Sequence, residues 1–275
     1  MKKIKIVTDS TAYFTREEAE REKISIVPLS YSLGDRSMKE AFPGEFEEVF
    51  EIIQEGKLFI STSQPALGDF IEVYEEAFRE GYDEIIVLVL SSKLSGCFNS
   101  ANLAKDVLGD KMITVIDSKT SAGNLKFLVQ DAIKMIKMGK TSQEIREFIE
   151  AKSEKIEVYL SVDSLEYLER SGRISRLASL VGNALKIKPI IRLKNGELDM
   201  FEKLRGRKQL INRLIALIDP SIEKISISHI LAYEDSLKIK EEIEKNYQTI
   251  EVSIDELGPV IGGHLGPGSI GLCLY

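Results

Sequence analysis

The chain has 275 residues, 43% hydrophobic and 29% charged, with a net charge of −7, the profile of a soluble globular protein of one large or two ordinary domains. No apolar run is long enough to span a membrane, and MKKIKIVTDS turns into a strand before a signal-peptide core can form, which predicts a cytoplasmic location. The acidic balance argues against a general nucleic-acid binder, and Cys97, Cys273, His229 and His264 supply neither a disulfide framework nor a structural zinc site.

Lys3 to Asp9 alternates as a strand and ends in Asp9-Ser10-Thr11. Thr15 to Glu18 is a capping box that starts a short helix. Ile24 to Leu33 reads as a second strand, closed by the Gly34-Asp35 turn, and Phe46 to Gln54 reads as a helix ended by Gly56. Phe59 to Phe70 then places Ser61, Thr62 and Ser63 in a row before Gln64-Pro65 opens a helix from about Leu67 to Arg79. Glu84 to Leu90 is a continuous apolar strand of the kind covered on both faces, and Ile113 to Asp117 is another. Helical patterns fill the gaps, including Asn124 to Met138 and a capping-box start at Thr141 to Glu144. Strands alternating with helices predict a mainly parallel, doubly covered α/β sheet over residues 1–153.

Beyond Ser153 the texture changes. Ile156 to Val162 is a strand, Ser164 to Glu169 a short helix, and Lys188 to Leu193 with Glu197 to Leu204 flank Asn195-Gly196, a strong hairpin signal. A helix over Arg207 to Ile218, a strand over Lys224 to His229, a helix over Glu234 to Asn246 and a strand over Thr249 to Ile254 follow. The glycine-rich GPVIGGHLGPGS reads as a loop before a last strand, Ile270 to Tyr275. A hairpin among alternating elements predicts a second, α+β domain with a mixed sheet over residues 154–275.

Three segments end a strand-like or apolar run in Ser, Thr and Gly ahead of a helix: the Ser61 stretch, LVLSSKLSGCFNSA at 88–101 and TVIDSKTSAGNLKFLV at 114–129. Hydroxyls both donate and accept, helix N-termini offer unpaired N–H groups, and such loops lie side by side at the carboxyl ends of the strands in an open α/β sheet. They suit a carboxylate or a phosphate, and the alternative is that they only cap helices. From Arg170 to Arg213 there are twelve Lys or Arg against three Asp or Glu, an asymmetry that suggests an anionic partner. Within it, Arg173 and Arg205 stand beside glycines, and their planar forks suit phosphate or carboxylate. His264, in GGHLGPG, is a candidate oriented for a purpose, whereas His229 ends an apolar strand and reads as structural. Neither GxxxxGK[ST] nor GxGxxG after the first strand is present. A serine hydrolase built on Ser95 and His264 is an alternative, without GxSxG and without an evident acid to orient the histidine.

Together VTDSTA at 7–12, STSQPA at 61–66, SSKLSGCFNSA at 91–101, IDSKTSAG at 116–123, LEYLERSGRIS at 165–175, KPII at 188–191, KLRGRK at 203–208 and IGGHLGPGSIG at 261–271 resemble the DegV family, bacterial fatty-acid-binding proteins that act as the carrier subunit of fatty acid kinase. Ser171 and Gly263 depart from the family pattern, where a glycine and a threonine are common. The resemblance implies a non-enzymatic, two-domain carrier with one fatty acid buried between the domains and no cofactor or metal. It implies that the carboxyl group bonds Thr62 and Ser95, that Ser63 and His264 extend the network, and that Arg173 meets the head group or acyl phosphate. It implies that Arg205, with Arg207 and Lys208, docks a separate ATP-using kinase, with an acyltransferase downstream and transient membrane-surface contact allowed. Ser92, Gly96, Ser118 and Ser121 are secondary loop candidates, and a lipid-sensing regulatory protein is a further alternative.

Overall fold

A computed structural model describes residues 2–40, 42–54, 59–109, 111–173 and 187–275. Strand β1 (Ile4–Asp9) has β2 (Ser25–Val27) on one side and β6 (Glu84–Val89) followed by β7 (Ile113–Asp117) on the other, all parallel, in the order β2-β1-β6-β7. Every residue of β6 is buried, as a strand covered on both faces requires. Its one carboxylate, Glu84, is paired with Lys2 and accepts from Ser142. Helices α3 (Leu67–Arg79) and α4 (Cys97–Leu108) pack together on β6, and α5 (Ala122–Lys137) and α6 (Ser142–Ser153) pack together on the same sheet. Both capping boxes form: Thr15 with Glu18 starts α1 (Arg16–Glu22), and Thr141 with Glu144 starts α6.

The expected second strand is divided. Pro28 cannot donate to a ladder, so β2 stops at Val27, and β3 (Ser30–Leu33) joins a small separate sheet. There β3 pairs antiparallel with β4 (Arg36–Lys39) and with β5 (Ile60–Ser63), neither of which the sequence pattern announces. The run Ser61-Thr62-Ser63 is thus a strand rather than a loop. Alternation leaves Ser61 and Ser63 exposed and turns Thr62 inward. Helix α2 (Glu47–Gln54) forms as expected, and its predicted end at Gly56 lies outside the described residues.

Strands β8 (Glu157–Ser161), β9 (Ile187–Lys194), β10 (Glu197–Arg205), β11 (Lys224–His229), β12 (Glu251–Glu256) and β13 (Ile270–Leu274) form a mixed sheet in the order β10-β9-β8-β13-β11-β12, antiparallel except between β11 and β12. The β9–β10 turn holds Asn195 and Gly196 at φ of 52° and 83°, the left-handed pair a two-residue hairpin demands. Helix α7 (Glu166–Arg170) follows β8, and α8 (Arg207–Ile215) and α9 (Tyr233–Asn246) close a second apolar core with Ile225, Ile227, Leu210, Leu214, Ile239 and Ile243. The main core runs from β1 and β6 through α5 to Leu193 and Cys273, so the two halves of the chain share it.

The glycine-rich segment is not a loop. Residues Pro259–Leu265 form helix α10, with Pro259 in its first turn, where a missing N–H costs nothing. Glycine disfavours helix by about 1 kcal/mol per residue relative to alanine, so packing must carry this one. A Cβ at Gly263 would lie 2.9 Å from Ile60, and only a glycine lets α10 approach β5 this closely.

Candidate functional site

Between the parallel sheet, the small sheet and the mixed sheet lies a cavity of about 450 Å³, within the range of roughly 300–1,000 Å³ usual for small-molecule sites. Thr62, Ser63 and Gln64 reach it from β5 and its end, Ser95 and Gly96 from the turn before α4, Ser121 from the start of α5, and His264 from α10. Leu90, Ala122, Leu160, Leu193 and Cys273 supply apolar wall. The loops of the first half do lie side by side. Gln64 donates to Ser100 and its amide fills the space a Cβ at Gly96 would need, while the N–H of Ser91 donates to Thr120 O at 2.9 Å.

The centre of the polar wall is a pair brought together from opposite ends of the chain: Thr62 Oγ1 and His264 Nε2 are 2.8 Å apart. The other ring nitrogen, His264 Nδ1, is buried without a partner among the described residues. Burial, with the charge of Arg173 second, lowers the His264 pKa to about 4, so the ring is neutral at neutral pH. One ring nitrogen then donates and the other accepts, and the Thr62 hydroxyl can take either role. Arg173 donates through Nη1 to Ser171 O at 2.6 Å and is part-buried, which lowers its pKa. Among the described residues it has no carboxylate partner. Ser95 Oγ accepts from the backbone N–H of Cys97 at 3.3 Å, which leaves its proton free to point elsewhere.

Not every candidate reaches the cavity. Ser121 lines it with its hydroxyl buried and unpartnered. Ser92 is bound to Asp117, and Ser118 is turned into its own loop against Thr120; both shape the loops rather than the wall. His229 is buried, its Nδ1 accepts from Ala232 N, and burial lowers its pKa, as a structural histidine would show. Arg205 and Lys208 are exposed and bear no ion pair among the described residues. Arg207 instead pairs with Asp235 at 2.7 Å and Asp163 at 3.3 Å and donates to Gly268 O, which makes it a clasp between three segments. The Ser95–His264 hydrolase constellation is not formed among the described residues, where the ring bonds Thr62 and no carboxylate orients it. Gln64 escaped the sequence reading, its only signal being its place directly after the hydroxyl run. Among the described residues no group of three His, Cys, Asp or Glu is arranged to hold a metal, and no helix is long and apolar enough to cross a membrane.

The tight seat of Gly263 on Ile60 gives a first prediction. Gly263→Leu should push α10 off β5, break the Thr62–His264 hydrogen bond and weaken ligand binding about tenfold, the equivalent of one hydrogen bond. Ligand titration of the variant checks this, and wild-type affinity would show that α10 tolerates the displacement.

A family model described as "Uncharacterised protein, DegV family" matches residues 3–275. Protein DegV of Bacillus subtilis is 34% identical over 277 residues, covering 98% of each chain. Among solved structures, DegV of Bacillus subtilis, described as a fatty acid binding protein, superposes with a TM-score of 0.89 at 33% identity and covers 100% of this chain and 99% of its own. A DegV lipid binding protein from Thermotoga maritima gives a TM-score of 0.89 at 30% identity, with coverage of 99% and 98%. A stearic-acid-binding protein from Eubacterium ventriosum gives a TM-score of 0.90 at 25% identity, with coverage of 98% and 97%. By family match, identity and mixed α/β architecture, the chain belongs to the DegV family.

Proposed function

We propose that this chain binds one long-chain fatty acid in the cavity, with its carboxyl group on Thr62 and Ser95 and with Ser63 and His264 completing the network. The observation that carries the reading is the union of apolar wall with a neutral Thr62–His264 pair and with Arg173, which has no carboxylate partner among the described residues. An isolated buried carboxylate is costly. Hydroxyls and a neutral imidazole can donate to it or accept from its acid form, and a nearby guanidinium favours the charged state. Burial of each methylene contributes about 0.8 kcal/mol, so roughly fifteen contribute on the order of 12 kcal/mol before ordering costs. The tail holds the ligand and the head group selects it.

The carrier acts in the cytoplasm without catalysing a reaction itself. A separate kinase phosphorylates the presented carboxyl group from ATP, Arg173 meets the acyl phosphate, and an acyltransferase consumes it. Arg205 and Lys208 form the kinase-facing surface, and Arg207 keeps that surface in shape through its contacts to Asp163 and Asp235. Residues 1–153 and 154–275 act as the two domains: Thr62 and Ser95 come from the first, Leu160, Leu193 and His264 from the second, and all five line the cavity.

Gentle native mass spectrometry followed by organic extraction tests the binding reading. One fatty acid per chain is expected, and an empty protein that takes up no added fatty acid overturns it. Loaded protein given a fatty acid kinase and ATP should yield acyl phosphate; absence of product overturns the carrier role and leaves a lipid sensor.

A further inference from the structure

Helix α10 carries His264, and it is mounted on the small sheet at two points. At its C-terminal end His264 meets Thr62 of β5. At its first turn the N–H of Val260 donates to Glu40 Oε1 at 2.9 Å. Val260 and His264 are four residues apart, one helical turn, so the two contacts sit at opposite ends of the helix. Glu40 follows β4 and Thr62 lies in β5, the two strands that flank β3. One three-stranded sheet therefore grips one helix at both ends.

Glu40 is placed for this with unusual completeness. It is 5% exposed. Its Oε2 accepts from Ser10 Oγ at 2.6 Å, and Ser10 Oγ in turn accepts from the N–H of Leu29 at 3.1 Å. Its own N–H donates to Leu29 O. The Tyr13 hydroxyl stands 3.5 Å from Oε1 and faces the backbone N–H groups of Gly258 and Ile261. A Cβ at Gly258 would sit 2.4 Å from Oε1, so the glycine at the helix entrance makes room for this carboxylate. A buried carboxylate without a cation is otherwise a liability of several kcal/mol; among the described residues no lysine or arginine pairs with it. The ionisable groups that face it are Asp9, Tyr13 and Tyr31, all acidic. The first turn of a helix offers N–H groups that a buried acceptor satisfies, and a negative charge there is favoured by the helix dipole.

We propose that Glu40 is a positioning residue that seats α10 through Val260 and thereby sets the Thr62–His264 pair in the acid-binding cavity. This rests on the assignment of His264 to the head group of the fatty acid. Burial raises the Glu40 pKa to about 7, so its charge, and with it the strength of its hold on Val260, changes near neutrality, well away from the ring's own titration.

The chain contains only two histidines, so ¹⁵N-resolved ring resonances report on His264 with His229 as an internal reference. In the full-length protein stripped of lipid, the His264 signals are expected to shift with a midpoint near pH 7 while His229 does not follow. Glu40→Gln still accepts from Val260, and its amide can donate to the second lone pair of Ser10. It should keep ring signals and palmitate affinity close to wild type at pH 7 and lose the step near pH 7. Glu40→Ala should move the His264 signals and raise the palmitate Kd about tenfold, the effect of one lost cap. His264 signals that show no step in wild type, or that stay unmoved in Glu40→Ala while affinity falls, overturn the positioning role. Signals that move with unchanged palmitate affinity uphold that role and overturn instead the head-group assignment of His264. Should Glu40→Ala fail to fold, the pH step compared between wild type and Glu40→Gln decides alone.

Discussion

A protein carrying Thr62→Val together with Ser95→Ala should fold and yet bind fatty acid about a hundredfold more weakly than its parent. Valine matches threonine in shape and favours the strand conformation, so β5 and its pairing with Tyr31 across the ladder persist. Ser95→Ala removes the oxygen that accepts from Cys97 N, at a stability cost of about 1 kcal/mol. The effect on ligand is larger. Hydrogen bonds to a charged group contribute roughly 1.5–3 kcal/mol each, so losing two at the lower figure is about 3 kcal/mol, or a factor near 150. Thr62→Val also leaves both nitrogens of a buried imidazole without partners, since Nδ1 already lacks one. Competition with a fluorescent fatty acid measures the change, and unaltered affinity would place the carboxyl group elsewhere.

That variant separates two contributions that a single affinity conflates. In the proposed binding mode, apolar wall from Leu90, Ala122, Leu160, Leu193 and Cys273 acts on the tail in proportion to methylenes buried and is indifferent to what the head group carries. In that proposed mode the polar wall acts on the head group alone, and its neutral histidine and hydroxyls can donate to a carboxylate or accept from its acid form. Shortening the acyl chain should therefore weaken parent and variant by the same factor per methylene, as independent sites do.

Local features of the molecule were legible in the sequence because local physics sets them. The Thr15/Glu18 and Thr141/Glu144 capping boxes, the all-buried β6 and the Asn195-Gly196 hairpin need only neighbours along the chain. Thr62, Ser95 and His264 were legible as polar residues in revealing company, and the family resemblance supplied their grouping. Two elements were not legible. β5 is a strand because Tyr31 and Ser32 pair with Thr62 and Ser61, a partnership thirty residues away. α10 is a helix against glycine's preference because Ile60 needs the room at Gly263 and Glu40 caps Val260 across 220 residues. Both misreadings fall on the segments that carry the Thr62–His264 pair, and in both a long-range contact overrode local propensity. Arg207, expected at a docking surface, is spoken for by Asp163 and Asp235, which no local pattern announces.

Glu40→Gln and His264→Asn should tilt the pH dependence of stability in opposite directions, each by about 3 kcal/mol in protein stripped of lipid. Glu40 is displaced from 4.5 to about 7, chiefly by burial. The native state then holds a proton that the unfolded chain has released, so its contribution is full below pH 4.5 and is lost as pH rises to about 7. His264 is displaced from 6.5 to about 4, again chiefly by burial. Here the unfolded chain binds the proton first, so the contribution is full above pH 6.5 and is lost as pH falls to about 4. Each displacement is about 2.5 pH units, worth on the order of 3 kcal/mol at roughly 1.4 kcal/mol per unit. Between pH 4.5 and 6.5 the two slopes oppose each other and nearly cancel. Without Glu40 ionisation, the histidine slope is unmasked and stability relative to the parent worsens as pH falls from 7 to 4.5. Without His264, the carboxylate slope is unmasked and stability relative to the parent worsens as pH rises from 4 to 6.5. Because each variant is compared with the parent at the same pH, carboxylates remote from both groups drop out of the difference, whereas Asp9, whose charge acts on Glu40, contributes to the Glu40→Gln difference. Urea unfolding across pH 4 to 8 reads both slopes. Parallel curves for parent and variants would mean that neither group keeps its displaced proton affinity in solution, and that the α10 mount opens to water at both of its ends.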